Sequence, residues 1–121
     1  MLVSLINEPS ASAAVNIAGM AVFLDPGHNG VNDPSTTRRV PNGRGGTNAC
    51  AMTGTATSDG YPEHSFNWDV VLRIRDALTQ MGVRTELSRD NDNALGPCND
   101  QRAAMANAMS NTRRYLLSSA T

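Results

Sequence analysis

Apolar and polar positions change period several times along the chain, and each change marks an element. Ala21-Val22-Phe23-Leu24 is an unbroken apolar run. It predicts a short buried strand from about Ala21 to Asp25. Pro26 and Gly27 stop it and turn the chain. His28 is thereby presented just past the carboxyl end of a core strand, where open α/β sheets place their chemistry. From Pro62 to Met81 the period becomes helical. Phe66, Val70, Ile74, Ala77, Leu78 and Met81 recur at steps of three and four and predict one apolar inner stripe. Pro62 suits the start of that helix, Glu63 its positive end, and Gly82 the residue past its close. Val83 to Ser88 alternates, with Val83, Thr85 and Leu87 opposed to Arg84, Glu86 and Ser88, as in a half-covered strand.

A second helix is predicted over Gln101 to Met109, capped at Asn99 or Asp100, with Ala104, Met105, Ala108 and Met109 facing inward. The order β–loop–α–β–α points to an α/β fold, a mostly parallel sheet with flanking helices and right-handed crossovers. Only two strands are visible, which is few for such a sheet. The tail holds a short apolar patch, Tyr115-Leu116-Leu117, without a β-branched run. No third strand is expected there, and the sheet reads as incomplete after the second helix.

Residues 29–62 form a long polar segment rich in Gly, Asn, Thr, Ser and Pro. Such a loop inside a compact domain is usually functional or mobile. Asn42-Gly43 predicts a small hairpin within it. Gly43-Arg44-Gly45-Gly46-Thr47 invites a phosphate-loop reading, but the Gly-Lys-Ser/Thr ending and a following helix are missing.

Composition narrows the class. A length of 121 residues is enough for one domain. A net charge of −1 gives no electrostatic case for nucleic acid or acidic membranes. No run has the length of a membrane span. The basic residues are all Arg, which favours bidentate carboxylate pairing but equally fits a GC-rich genome. Cys50 and Cys98 lie in polar loops, without a CxxC cluster. In an exported protein they would form one disulfide, closing a loop of about 48 residues worth about 4 kcal/mol on the chain-entropy model. Two free thiols are the alternative. Residues 1–17 read as the stump of an export signal or a leader, for want of a basic n-region and a full apolar run.

The chemistry centres on His28 and Glu63. One follows the first strand and the other opens the first helix, so both fall on the same edge of a βαβ unit. An imidazole and a carboxylate are suitable zinc ligands, and a catalytic zinc takes three protein ligands plus water. Position alone also allows a hydrogen-bonded histidine and a carboxylate at a helix start.

These residues resemble a family. Val22 to Gly30, Val-Phe-Leu-Asp-Pro-Gly-His-Asn-Gly, is similar to the opening strand of the zinc-dependent N-acetylmuramoyl-L-alanine amidases, the peptidoglycan amidase type 3 family. Glu63 followed by Asn67 resembles that family's second ligand region. Val83 to Arg89 resembles its second strand, and Arg102 with Ala106-Asn107 its next helix. Asn-Gly-Arg-Gly-Gly-Thr and Asp-Gly-Tyr-Pro-Glu-His look most like the compact, exported actinobacterial members.

The resemblance implies a peptidoglycan or muropeptide substrate, an exported, periplasmic or cell-wall location, and Zn²⁺ held by His28 and Glu63. His64 is the alternative ligand by sequence. Arg44 and Asn67 are the candidate substrate-binding residues. Family members carry a second zinc histidine after the third strand and a late catalytic Glu. Here the histidines are His28 and His64 alone, and the last acidic residue is Asp100. The expectation is therefore a leader over 1–17, a partial catalytic domain over 18–109 and an atypical tail over 110–121. Such a chain would be an inactive, poorly stable fragment without the general base. Two other readings stand beside it. One is a non-catalytic peptidoglycan-binding or regulatory remnant using Arg38, Arg39 and Arg44. The other is a different zinc peptidase.

Overall fold

The computed structural model describes residues 17–52, 54–109 and the backbone of 114–118. The predicted leader lies almost wholly outside the described residues. Strand β1, Ala21–Asp25, is the centre of a three-stranded sheet. It pairs in parallel with β4, Arg84–Leu87, on one side and with β5, Arg114–Ser118, on the other. β2, Arg39–Pro41, and β3, Thr47–Ala49, form a separate antiparallel hairpin. Helix α1 is Glu63–Gln80 and helix α2 is Asn99–Ala108.

Strand β1 is apolar from Ala21 to Leu24 because both its faces are covered. Its period of two puts Ala21, Phe23 and Asp25 on one face. Ala21 and Phe23 pack there with Met109, beside Ala106 of α2. Helix α1 packs against both β1 and β4. Leu24 of the strand, Val71 of the helix and Pro26 at the turn are fully buried. A satellite core of Val40, Cys50, Ala51 and Cys98 joins the hairpin loop to the start of α2. Within it Cys50 and Cys98 form a disulfide.

The structure corrects the sequence reading in four places. A strand, β5, follows the second helix where none was expected. Strand formation there depends on pairing along the full length of β1, which supplies backbone partners to a segment of weak intrinsic propensity. Along α1 the buried positions are Asn67 and Val71, while Phe66, Ala77 and Met81 of the predicted stripe are exposed. Along α2 the buried residue is Arg102, whereas Ala104, Met105 and Ala108 are exposed. Periodicity counts apolar side chains and misses a polar one drawn inward by partners. The start of α2 is capped by Cys98, one residue before the predicted cap, with its N–H donated to Gln101 Oε1 at 2.8 Å.

The hairpin turn forms at Asn42-Gly43, as its composition requires. Asn42 Oδ1 accepts from the N–H groups of Arg44 and Gly46 at 2.8 and 3.1 Å. Those donors are spent inside the turn, which leaves no phosphate cradle.

Candidate functional site

The carboxyl end of β1 runs into a turn whose carbonyl groups all need donors. Two arginines supply them. Arg102, 3% exposed, donates from Nη1 to the Pro26 carbonyl at 2.8 Å and to Asp25 Oδ1 at 3.0 Å. Its Nη2 reaches the His28 carbonyl at 2.9 Å and Asn29 Oδ1 at 2.6 Å, and its Nε reaches the Pro97 carbonyl at 3.0 Å. Arg89 donates from Nε to the Pro26 carbonyl at 3.0 Å and from Nη2 to the Gly27 carbonyl at 3.3 Å. The Asn67 amide adds a 3.4 Å bond to the Gly27 carbonyl. A buried carbonyl left without a donor costs about 1–3 kcal/mol, so this cradle is what lets the turn exist. Asn67 is 2% exposed, behind the turn and away from the open face where a substrate contact was expected.

His28 itself has φ +67°, a left-handed conformation rare for a residue with a side chain. Its imidazole is gripped from two sides. Nδ1 lies 2.7 Å from the Met52 carbonyl, so that nitrogen carries the proton. Nε2 points at Glu63 Oε1, 3.2 Å away, yet is buried without hydrogen-bond geometry to any group. In the neutral ring both facing atoms are acceptors. Only a cation between them, a proton or a metal ion, makes that contact favourable.

Glu63 is held from its other oxygen. Thr55 donates to Oε2 from its N–H at 2.9 Å and from its hydroxyl at 3.1 Å. The backbone bond from Thr55 is the main cause of a lowered Glu63 pKa; it prevails over burial, with the facing His28 assisting. Gly54, φ +80°, lies against both His28 and Glu63. A Cβ there would stand 2.9 Å from Glu63 Oε2 and from His28 Cδ2. The position therefore takes glycine for space as well as for conformation.

His64 points elsewhere. Its Nδ1 pairs with Asp92 Oδ1 at 2.8 Å. Ser65 Oγ donates to Asp92 Oδ2 at 2.7 Å, and Arg89 Nη1 to Oδ1 at 2.9 Å. Burial acts to raise the Asp92 pKa, but the bonds from His64, Ser65 and Arg89 outweigh it and hold the pKa below the ordinary value. Ser65 and Asp92 meet His64 at the same nitrogen, which is not the relay of a nucleophilic triad. Arg89 also stacks over Trp68 at 5.2 Å.

The structure thus brings His28 and Glu63 together and leaves His64 out. Arg44 is exposed at the hairpin turn. Arg38 reaches Cys98 Sγ at 2.7 Å and Arg39 reaches the Thr47 carbonyl at 2.7 Å, so both are engaged within the fold. Met52, Gly54 and Thr55 were not singled out by sequence. Their only signal was a Gly flanked by threonines in the long loop.

The donor set fits a metal ion in part. Nδ1–H bound to a carbonyl orients Nε2 outward with its lone pair, as metal-ligating histidines usually are. Among the described residues no group of three or more His, Cys, Asp or Glu converges. The pair supplies two donors.

A parallel α/β sheet with an imidazole and a carboxylate converging at its carboxyl edge defines the class of α/β protein that gathers its chemistry at the strand ends. The comparisons make it particular. The family model described as N-acetylmuramoyl-L-alanine amidase matches residues 22–117, and the chain belongs to that family. It is 63% identical over 105 residues to the N-acetylmuramoyl-L-alanine amidase Rv3717 of Mycobacterium tuberculosis, across 87% of this chain and 43% of that protein. Among solved structures, Ami1 of Mycobacterium smegmatis superposes with a TM-score of 0.76 at 71% identity, covering 78% of this chain and 44% of that one. The apo form of Ami1 from Mycobacterium abscessus gives 0.75 at 60% identity, covering 76% and 43%. The chain therefore spans less than half the length of these relatives. The match runs through β5, beyond the point near Met109 where the resemblance in sequence faded.

Proposed function

We propose that the fold serves hydrolysis of the amide between N-acetylmuramic acid and the L-alanine of peptidoglycan stem peptides, with Zn²⁺ held by His28 and Glu63. The observation that carries this reading is the orphaned His28 Nε2 facing Glu63 Oε1 at 3.2 Å. The metal, when bound, supplies Lewis acidity toward the amide carbonyl and lowers the pKa of water. The protein's own part is to orient the two donors. The Met52 carbonyl fixes the tautomer of His28, Thr55 keeps Glu63 ionised, and the two arginines hold the turn beneath. Peptidoglycan as substrate places the working site in the cell-wall or periplasmic space. No helix among the described residues is long and apolar enough to cross a membrane.

Among the described residues two donors converge, and this sequence has no acidic residue after Asp100 to act as general base. We therefore expect weak zinc binding and no turnover by this chain alone, since general-base loss costs about 10²–10⁴-fold. Zinc titration by calorimetry tests the assignment. Binding should fall at least tenfold in His28→Ala and in Glu63→Gln and stay within twofold in His64→Ala. An affinity that depends on His64 and ignores His28 would sink the site. Muropeptide turnover by the isolated chain, abolished by His28→Ala, would overturn its inactivity. The binding-module reading now narrows to Arg44. Zinc-independent retention on peptidoglycan, lost in Arg44→Ala, would favour it.

A further inference from the structure

Phe66 opens the apolar stripe of α1 in sequence, yet it is 56% exposed, and Tyr61 is 45% exposed beside it. Isolated exposed apolar residues need no explanation. These two share a groove of about 300 Å³ with Thr55, Thr57, Pro62 and Glu63. The groove is thus continuous with the candidate metal ligand.

Its wall is built, not loose. Ala56 bridges Pro62 in an antiparallel contact, and the Thr57 N–H donates to the Tyr61 carbonyl at 2.9 Å. The Tyr61 N–H returns a 2.9 Å bond to Thr57 Oγ1, and Glu63 N–H donates to the Thr55 carbonyl at 2.8 Å. Tyr61 therefore stands on a closed turn tied to the same Thr55 that holds the Glu63 carboxylate.

We infer that Tyr61 and Phe66 form an aromatic subsite for the pyranose ring on the muramoyl side of the scissile amide. The inference rests on the amidase reading above. Two arms of such a substrate leave the reacting amide. The peptide arm carries carboxylates. The sugar arm is neutral, because its lactyl carboxyl is consumed in the amide, and its ring presents C–H faces. No arginine lines the groove, so none of its lining residues pairs with the carboxylates of the peptide arm. Aromatic faces carry partial negative charge and attract the C–H edge of a ring stacked on them. Charge and shape both select the sugar arm. The hydroxyls of Thr55 and Thr57 add polar contacts at the rim.

Saturation-transfer NMR on the 121-residue chain tests this with two neutral or near-neutral probes. One is N-acetylmuramoyl-L-alanine methylamide; the other is the sugar-free N-acetyl-L-alanyl-D-isoglutamine with its γ-carboxyl capped as the methylamide. The sugar-ring protons should saturate more strongly than the alanine methyl. Phe66→Ala and Tyr61→Ala should each weaken the muramoyl probe about five- to tenfold. Phe66→Tyr should restore it, and the peptide probe should not respond to any of them. Both side chains are exposed, so the melting temperature should not move. Binding of the muramoyl probe that is indifferent to both alanine variants, or saturation confined to the alanine methyl, would overturn the subsite and leave the amidase reading standing. Binding of neither probe to the wild-type chain would also overturn the subsite, while the amidase reading stands or falls on the zinc titration.

Discussion

Two histidine–carboxylate pairs, His28–Glu63 and His64–Asp92, come from adjoining stretches and are built to opposite ends. In the first, the ring nitrogen meets the carboxylate at 3.2 Å without hydrogen-bond geometry, on a left-handed residue. In the second, the 2.8 Å contact is one bond of a closed network. Every oxygen of Asp92 is occupied by protein donors, whereas the meeting point of His28 and Glu63 calls for a cation. A histidine beside a carboxylate is therefore not a ligand site in itself. What the remaining donors and acceptors are doing decides it. The second pair serves the first: Arg89 binds Asp92 with one nitrogen and the Gly27 carbonyl with another.

The supports of the two pairs can be removed separately. Arg102→Met has the largest expected effect. It removes five bonds under the His28 turn and leaves Asp25 with a partly buried charge, at a cost of about 5 kcal/mol. Urea denaturation measures it, and a loss under about 1 kcal/mol would show that the cradle is incidental. Cys98→Ser comes next, at about 4 kcal/mol from loop closure. The disulfide anchors the loop that carries Met52 and Gly54. Its removal should loosen His28 and spare His64, as the two imidazole NMR signals would report. Equal broadening of both would contradict the comparison.

Gly54→Ala should cost about 1–2 kcal/mol for the left-handed backbone alone. The added methyl also wedges between His28 and Glu63, so zinc affinity should fall while the His64 signal stays in place. A variant binding zinc like the wild type would mean that the loop does not press on the pair. The smallest effect is on pH dependence. The Asp92 pKa is lowered from 3.8, so its stabilisation is present above that value and is lost as pH falls through the folded pKa. Asp92→Asn should flatten the acid limb of the stability curve below about pH 4. An unchanged limb would assign the acid sensitivity to other carboxylates.

Much of the frame was legible from pattern. Strand β1, helix α1, the hairpin turn at Asn42-Gly43 and the pairing of His28 with Glu63 across one sheet edge all follow from period and punctuation. The failures share a cause. Arg102 on α2 is buried and Phe66 on α1 is exposed, each against its hydrophobicity. Strand β5 forms where propensity is poor.

The sequence by itself determined which residues can carry the chemistry, because a strand's end and a helix's start must share an edge. Tertiary structure alone decided which histidine keeps a ring nitrogen without hydrogen-bond geometry facing a carboxylate. That depends on whether each donor and acceptor finds a partner, and the partners of His28 come from positions 24 to 74 residues away.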